Sequence, residues 1–125
     1  MKELSKKNQK LIKEAEKILE TYQMKLDTMV VKIGNEFYGY QPFEQPEKRK
    51  NLGVSDERQS QLTKGFNKAS DFLEAKGIDV MVCFAALNEG GATIFVSEKS
   101  LKLRFDVMGT LQEMEKEHEK RTKVS

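Results

Sequence analysis

From Ile78 to Leu87 every residue except Asp79 is apolar. The run is far short of the roughly 20 apolar residues that span a membrane. A strand with one wet face alternates apolar with polar residues, so a strand apolar on both faces must be covered on both sides. The chain therefore has to supply a packing layer on each side of one strand. Asn88, Glu89, Gly90 and Gly91 follow as a turn signal, and residues 93–97 read as the antiparallel neighbour. These two strands are expected to form the centre of the core.

Two amphipathic segments are the natural cover. From Ser5 to about Leu26, Leu11, Ala15, Ile18 and Tyr22 recur at helical spacing, with Ile12, Leu19 and Leu26 beside them. Ser5 caps this helix, although Lys6 and Lys7 then sit in the first turn, at the positive end of the helix dipole. A second helix opens at Ser55 or Asp56, carries Leu62, Phe66, Ala69 and Leu73 on one face, and stops at Gly77.

Between the helices, Met29, Val31 and Ile33 lead through Gly34 and Asn35 to the aromatic run Phe37, Tyr38, Gly39, Tyr40. This pattern predicts a tight hairpin with the positive φ of a type II′ turn at Gly34. A two-residue turn sets Val31 opposite Tyr38 and Met29 opposite Tyr40, and Gly39 points to a bulge or a close backbone approach. Residues 41–54 hold both prolines and show no periodicity, so they read as a long loop, either functional or disordered. Towards the end, Leu101, Leu103, Phe105 and Val107 alternate like a strand, but continuity with Leu111 and Met114 favours one helix from about Ser100 with Gly109 inside it.

The resulting order is α-β-β-α-β-β-α. It predicts an α+β fold in which an antiparallel sheet of about four strands, made of two hairpins, packs with two or three amphipathic helices. At 125 residues the chain is expected to form a single domain (1–125) with frayed ends at 1–5 and 119–125.

Function is far less legible. Twenty-two basic against 20 acidic residues leave a net charge of +2, too little to argue for nucleic acid or a membrane. One cysteine, Cys83, allows no internal disulfide, and the charged start lacks the apolar block of a signal peptide, so a cytoplasmic setting is expected. His118, the only histidine, lies in a charged helical stretch, which leaves no histidine triad or histidine metal cluster. Gly90 and Gly91 precede a strand, not the helix a phosphate loop needs. No cofactor, no metal and no catalytic residue is expected.

The strongest binding candidate combines Tyr38, Tyr40 and Phe43 with the basic Lys48, Arg49 and Lys50, since aromatics beside cations can stack bases and neutralise phosphates. The same tyrosines also suit an ordinary sheet core. Leu11 and Ile12, in the early turns of the first helix, form a second candidate surface if the sheet leaves them uncovered. The reading is a small non-enzymatic regulatory protein whose partner is another protein or a second copy of itself. Its general character would also suit an accessory protein of a phage. The alternative is a nucleic-acid-binding accessory protein using segment 38–50 and the lysine-rich start. A membrane partner is not expected.

Central-strand burial makes one prediction at once. Cys83 and Val82 are inaccessible, so thiol labelling of the native protein is slow and accelerates on unfolding; fast native labelling would overturn the strand assignment.

Overall fold

The computed structural model describes residues 2–42, 53–103, 106, 109–110, 112–114 and 116. The elements run β1 (Lys2–Glu3), α1 (Lys6–Thr21), β2 (Met24–Ile33), β3 (Glu36–Tyr40), α2 (Asp56–Glu74), β4 (Asp79–Leu87), β5 (Ala92–Val96) and α3 (Glu98–Lys102). The sheet order is β1-β3-β2-β4-β5. Four strands are antiparallel and form the expected two hairpins, while β1 adds two residues in parallel beside β3. This is the predicted α+β architecture with one short strand more.

The start of the chain is therefore not frayed at residues 2–5. Lys2 pairs with Tyr38 and Glu3 with Gly39, Leu4 is buried, and the Ser5 hydroxyl accepts the Asn8 N–H at 3.2 Å to cap α1. Gly39 continues a regular ladder with Val30, so it marks no bulge in the hairpin. The register is the one a two-residue turn dictates, with Val31 opposite Tyr38 and Met29 opposite Tyr40, and Gly34 has φ 62.

The second central strand is β2, and β5 is an edge. Met29, Val30 and Val31 are consecutive and all buried, which is the both-faces pattern already visible in β4. Two bulges join these strands. Asp27 is the extra residue in β2, between the pairs Leu26–Ala85 and Thr28–Phe84, and Met81 is the extra residue in β4. The second bulge lets the adjacent Met81 and Val82 both pack in a second core with Val30, Met114 and Phe37.

The first core lies under α1 and α2. Ile12, Ala15 and Leu19 are the buried face of α1, while Ile18 and Tyr22 lie towards α2. Leu62, Phe66, Ala69 and Leu73 are the buried face of α2, and Phe66 stacks on Phe95 of β5 with ring centroids 4.5 Å apart. Ser55 caps α2, with Asp56 and Glu57 in the first turn, and Gly77 takes φ 81 after its end.

Two boundaries differ from the sequence reading. Leu26 belongs to β2, because α1 ends at Thr21 and Gln23 adopts the left-handed φ of 57. No glycine marks that stop. Its carbonyls are held from a distance instead: Arg58 donates to Tyr22 O at 2.7 Å and Gln23 O at 3.0 Å, and Asn88 N–H to Gln23 O at 3.2 Å. The guanidinium also grips the Glu89 carboxylate through Nε at 2.8 Å and Nη2 at 2.9 Å. One side chain thereby ties α2, the α1–β2 turn and the β4–β5 turn together.

The second difference is α3. It stops at Lys102 with Leu103 as its cap, so the single helix from Ser100 through Gly109 does not form. Gly109 and Thr110 are helical; the Gly109 N–H is accepted by the Asp106 carboxylate at 2.9 Å, while Thr110 N–H reaches Asp106 O at 3.1 Å. Asp106 competes with the helix for backbone donors and restarts it as an N-cap.

Gly65 sets how closely α2 approaches the α1–β2 turn. A methyl group there would sit 2.7 Å from Met24 Cε and 2.8 Å from Tyr22 Cγ. Replacing glycine by alanine within a helix ordinarily gains about 1 kcal/mol. At this site overpacking of about 1–3 kcal/mol outweighs that gain, so Gly65→Ala is expected to lower the melting temperature. An unchanged or raised melting temperature would show that the helix can shift at no cost.

Candidate functional site

The sequence candidates separate once folded. Ile12 is fully buried in the chain's own core and Leu11 is partly buried against it, so the early turns of α1 do not form an uncovered surface. Leu4, which follows β1, is buried in the same core. Tyr38 and Tyr40 are half-buried and also pack on the first core. Phe43, Lys48, Arg49, Lys50 and His118 lie outside the described residues, as do residues 119–125 and the middle of the long loop. Cys83 is fully buried and its thiol is pushed up to about 12 by desolvation, which makes it a core residue. Among the described residues, no group of three His, Cys, Asp or Glu side chains is placed to hold a metal ion, and no helix is long and apolar enough to cross a membrane.

Tyr40 is nevertheless part of an unusual polar pair. Its hydroxyl hydrogen-bonds the Glu16 carboxylate on α1, whose Oε1 atom is buried without a hydrogen-bond partner among the described residues. Burial raises the Glu16 pKa above the ordinary carboxyl value; Glu20 adds to the rise, while the Tyr40 bond and Lys13 oppose it. Desolvation, followed by the bond to Glu16, raises the Tyr40 phenol as well.

Three surface features were not singled out from sequence. The first is a row of exposed lysines on α1, Lys6, Lys10, Lys13 and Lys17, spaced so that all four share one helical ridge opposite the buried face. Their spacing of four, three and four residues is readable in the sequence. The second is an open groove between α1 and α2, floored by Ile18, Tyr22 and Phe72 and rimmed by Lys17 and Lys68, with Lys68 Nζ 5.5 Å from the Tyr22 ring centroid.

The third is the corner where β5 meets α3. Ile94 and Val96 are 43% and 40% exposed, and Leu101 and Leu103 are 72% and 50% exposed. Among the described residues these are the large exposed apolar side chains, and all fall within ten residues of chain. α3 is pinned beside the sheet: Ser97 N–H and the buried Ser100 hydroxyl both donate to Met81 O, at 3.0 and 2.5 Å. Lys99 adds bonds to Asp79 at 2.6 Å and Glu74 at 3.1 Å.

The backbone of β5 is oriented as well as exposed. Leu87 N–H donates to Gly91 O at 2.8 Å, and Ser97 N–H to Met81 O, at the two ends of the β4–β5 ladder. Antiparallel alternation then makes Thr93 and Phe95 face β4 with their N–H and C=O groups. Ala92, Ile94 and Val96 consequently turn theirs away from the sheet.

No protein-family model matches the chain, and no match to it is found among curated proteins or solved structures.

The Glu16 carboxyl gives a prediction with a defined sign. A carboxyl whose folded pKa is raised binds its proton more tightly in the native state, so its ionised form costs stability above that pKa and the cost disappears as pH falls through it. Glu16→Gln is expected to stabilise the protein at neutral pH by up to ~1 kcal/mol, limited by partial solvent exposure. Under acid conditions that protonate Glu16 the gain shrinks towards nothing. Urea unfolding at both pH values measures this, and an equal effect at both would reject the burial argument.

Proposed function

We propose that this chain is a non-enzymatic protein-interaction module of the cytoplasm that meets an apolar surface of its partner with the β5–α3 corner. The observation that carries this reading is the exposure of Ile94, Val96, Leu101 and Leu103 together, next to a strand edge whose polar groups face outward. Exposed apolar side chains scattered singly need no explanation, whereas a gathered patch marks an interaction site. The buried free thiol fits a reducing setting.

Capture from native cells tests the reading. Wild-type protein is expected to retain a defined protein that the Leu101→Asp, Leu103→Asp double variant loses, while circular dichroism remains unchanged because both side chains are largely in water. Equal retention by the two forms rejects the corner as the binding surface.

The lysine ridge of α1 favours one second reading, attachment to a nucleic-acid backbone. Such binding weakens as salt rises, and each lysine that contacts a phosphate contributes about one to the logarithmic salt slope. Absence of single-stranded DNA and RNA binding at low salt would remove this reading.

A further inference from the structure

We infer that the partner of β5 is a second copy of β5, paired antiparallel about a two-fold axis through Ile94 so that two sheets join into one. The inference rests on the interaction reading above and names the occupant of that edge.

The two edges of the sheet are treated differently. At one side the two residues of β1 pair with Tyr38 and Gly39 of β3, whereas β5 has no neighbour beyond it among the described residues. Exposed edges are ordinarily blunted by charges, proline or a bulge. Ala92–Val96 contains neither charge nor proline, and its register with β4 runs without a bulge. Nothing in the strand opposes the approach of another strand.

The groups on offer are self-complementary. Ala92, Ile94 and Val96 are the outward-facing residues, and they are symmetric about Ile94. Antiparallel pairing centred there sets Ile94 against its own copy and Ala92 against Val96 of the other chain, and each of these pairs is a hydrogen-bonded pair. All the outward N–H and C=O groups of the strand are then satisfied at once. A shift to either side leaves some of them unmatched.

Side chains agree with the same register. Ile94 lies opposite Phe84 and Val96 opposite Val82, whose side chain is in the second core, so Ala92, Ile94 and Val96 share that face of the sheet. Across the axis the small Ala92 meets the larger Val96, and Ile94 meets Ile94. Because the strand is uncharged, a two-fold axis brings no like charges together within it. A two-fold interface requires this kind of self-matching.

An edge of five residues buries less than the ~1,200 Å² of a standard interface, so the dimer is expected to be weak and concentration-dependent. Sedimentation from about 1 to about 500 μM should show the mass of the wild type rising towards twofold. Ile94→Lys should remain monomeric, as should Ile94→Glu, and an equimolar mixture of the two should recover the dimer because the substituted residues face each other. Ile94→Cys should form a disulfide-linked dimer on mild oxidation, the native Cys83 being buried. Ala92→Cys should not, since its own copy lies about four residues, roughly 13 Å, along the ladder.

A wild type that stays monomeric, a mixture that does not recover the dimer, or cross-linking of Ala92→Cys in preference to Ile94→Cys would each overturn the proposal. Failure here leaves the capture experiment to decide partner binding. A dimer that cross-links through Ile94→Cys while the capture experiment retains nothing overturns the heterologous partner and leaves the pairing.

Discussion

Everything in this fold follows from the need to cover β4 on both sides. Val80, Cys83, Ala85 and Leu87 face one core, while Met81 and Val82 face another, and all are almost wholly removed from water. Burying one such side chain is worth about 1.5–3 kcal/mol, and leaving a face open would forfeit several of them. The helices α1 and α2 cover the first face. On the second, Met114 reaches Val30, Met81 and Val82, which gives the restart of helix at Asp106 a structural purpose.

The joints between layers are polar and long-range. Arg58 is nearly buried and reaches two backbone carbonyls of the α1–β2 turn and a carboxylate of the β4–β5 turn. Its fork of donors satisfies the end of α1, where the carbonyls have no partner within the helix. Lys99 and Ser100 do comparable work on α3, and the Met81 bulge supplies the carbonyl that Ser100 needs. Packing alone would leave these helix ends free to choose among several positions; the hydrogen bonds select one.

The same distribution of polar groups explains why attention falls on β5. Helix ends are capped or gripped, and at one side of the sheet the edge strand is the two-residue β1. Against that background an uncharged strand with outward N–H and C=O groups and half-exposed Ile94 and Val96 stands apart. The aromatic hairpin is a different case. Its tyrosines spend their rings on the core, and Tyr40 spends its hydroxyl on Glu16.

Local patterns were enough to determine the two hairpins and the two long helices, the hairpin register around Gly34, the cap at Ser55 and the burial of Cys83, because each depends on periodicity or turn chemistry within a few residues. What only the tertiary structure decided depends on partners distant in sequence. The stop of α1 at Gln23 relies on Arg58 and Asn88, the placement of β5 at an edge on β2 claiming the other side of β4, and the burial of Ile12 on a core gathered from both helices and the sheet. Exposure of the β5–α3 corner has the same origin. Alternation in a sequence says which residues share a face, but whether that face is covered is settled by how many other segments have apolar surface left to cover it, and that is a property of the assembled layers.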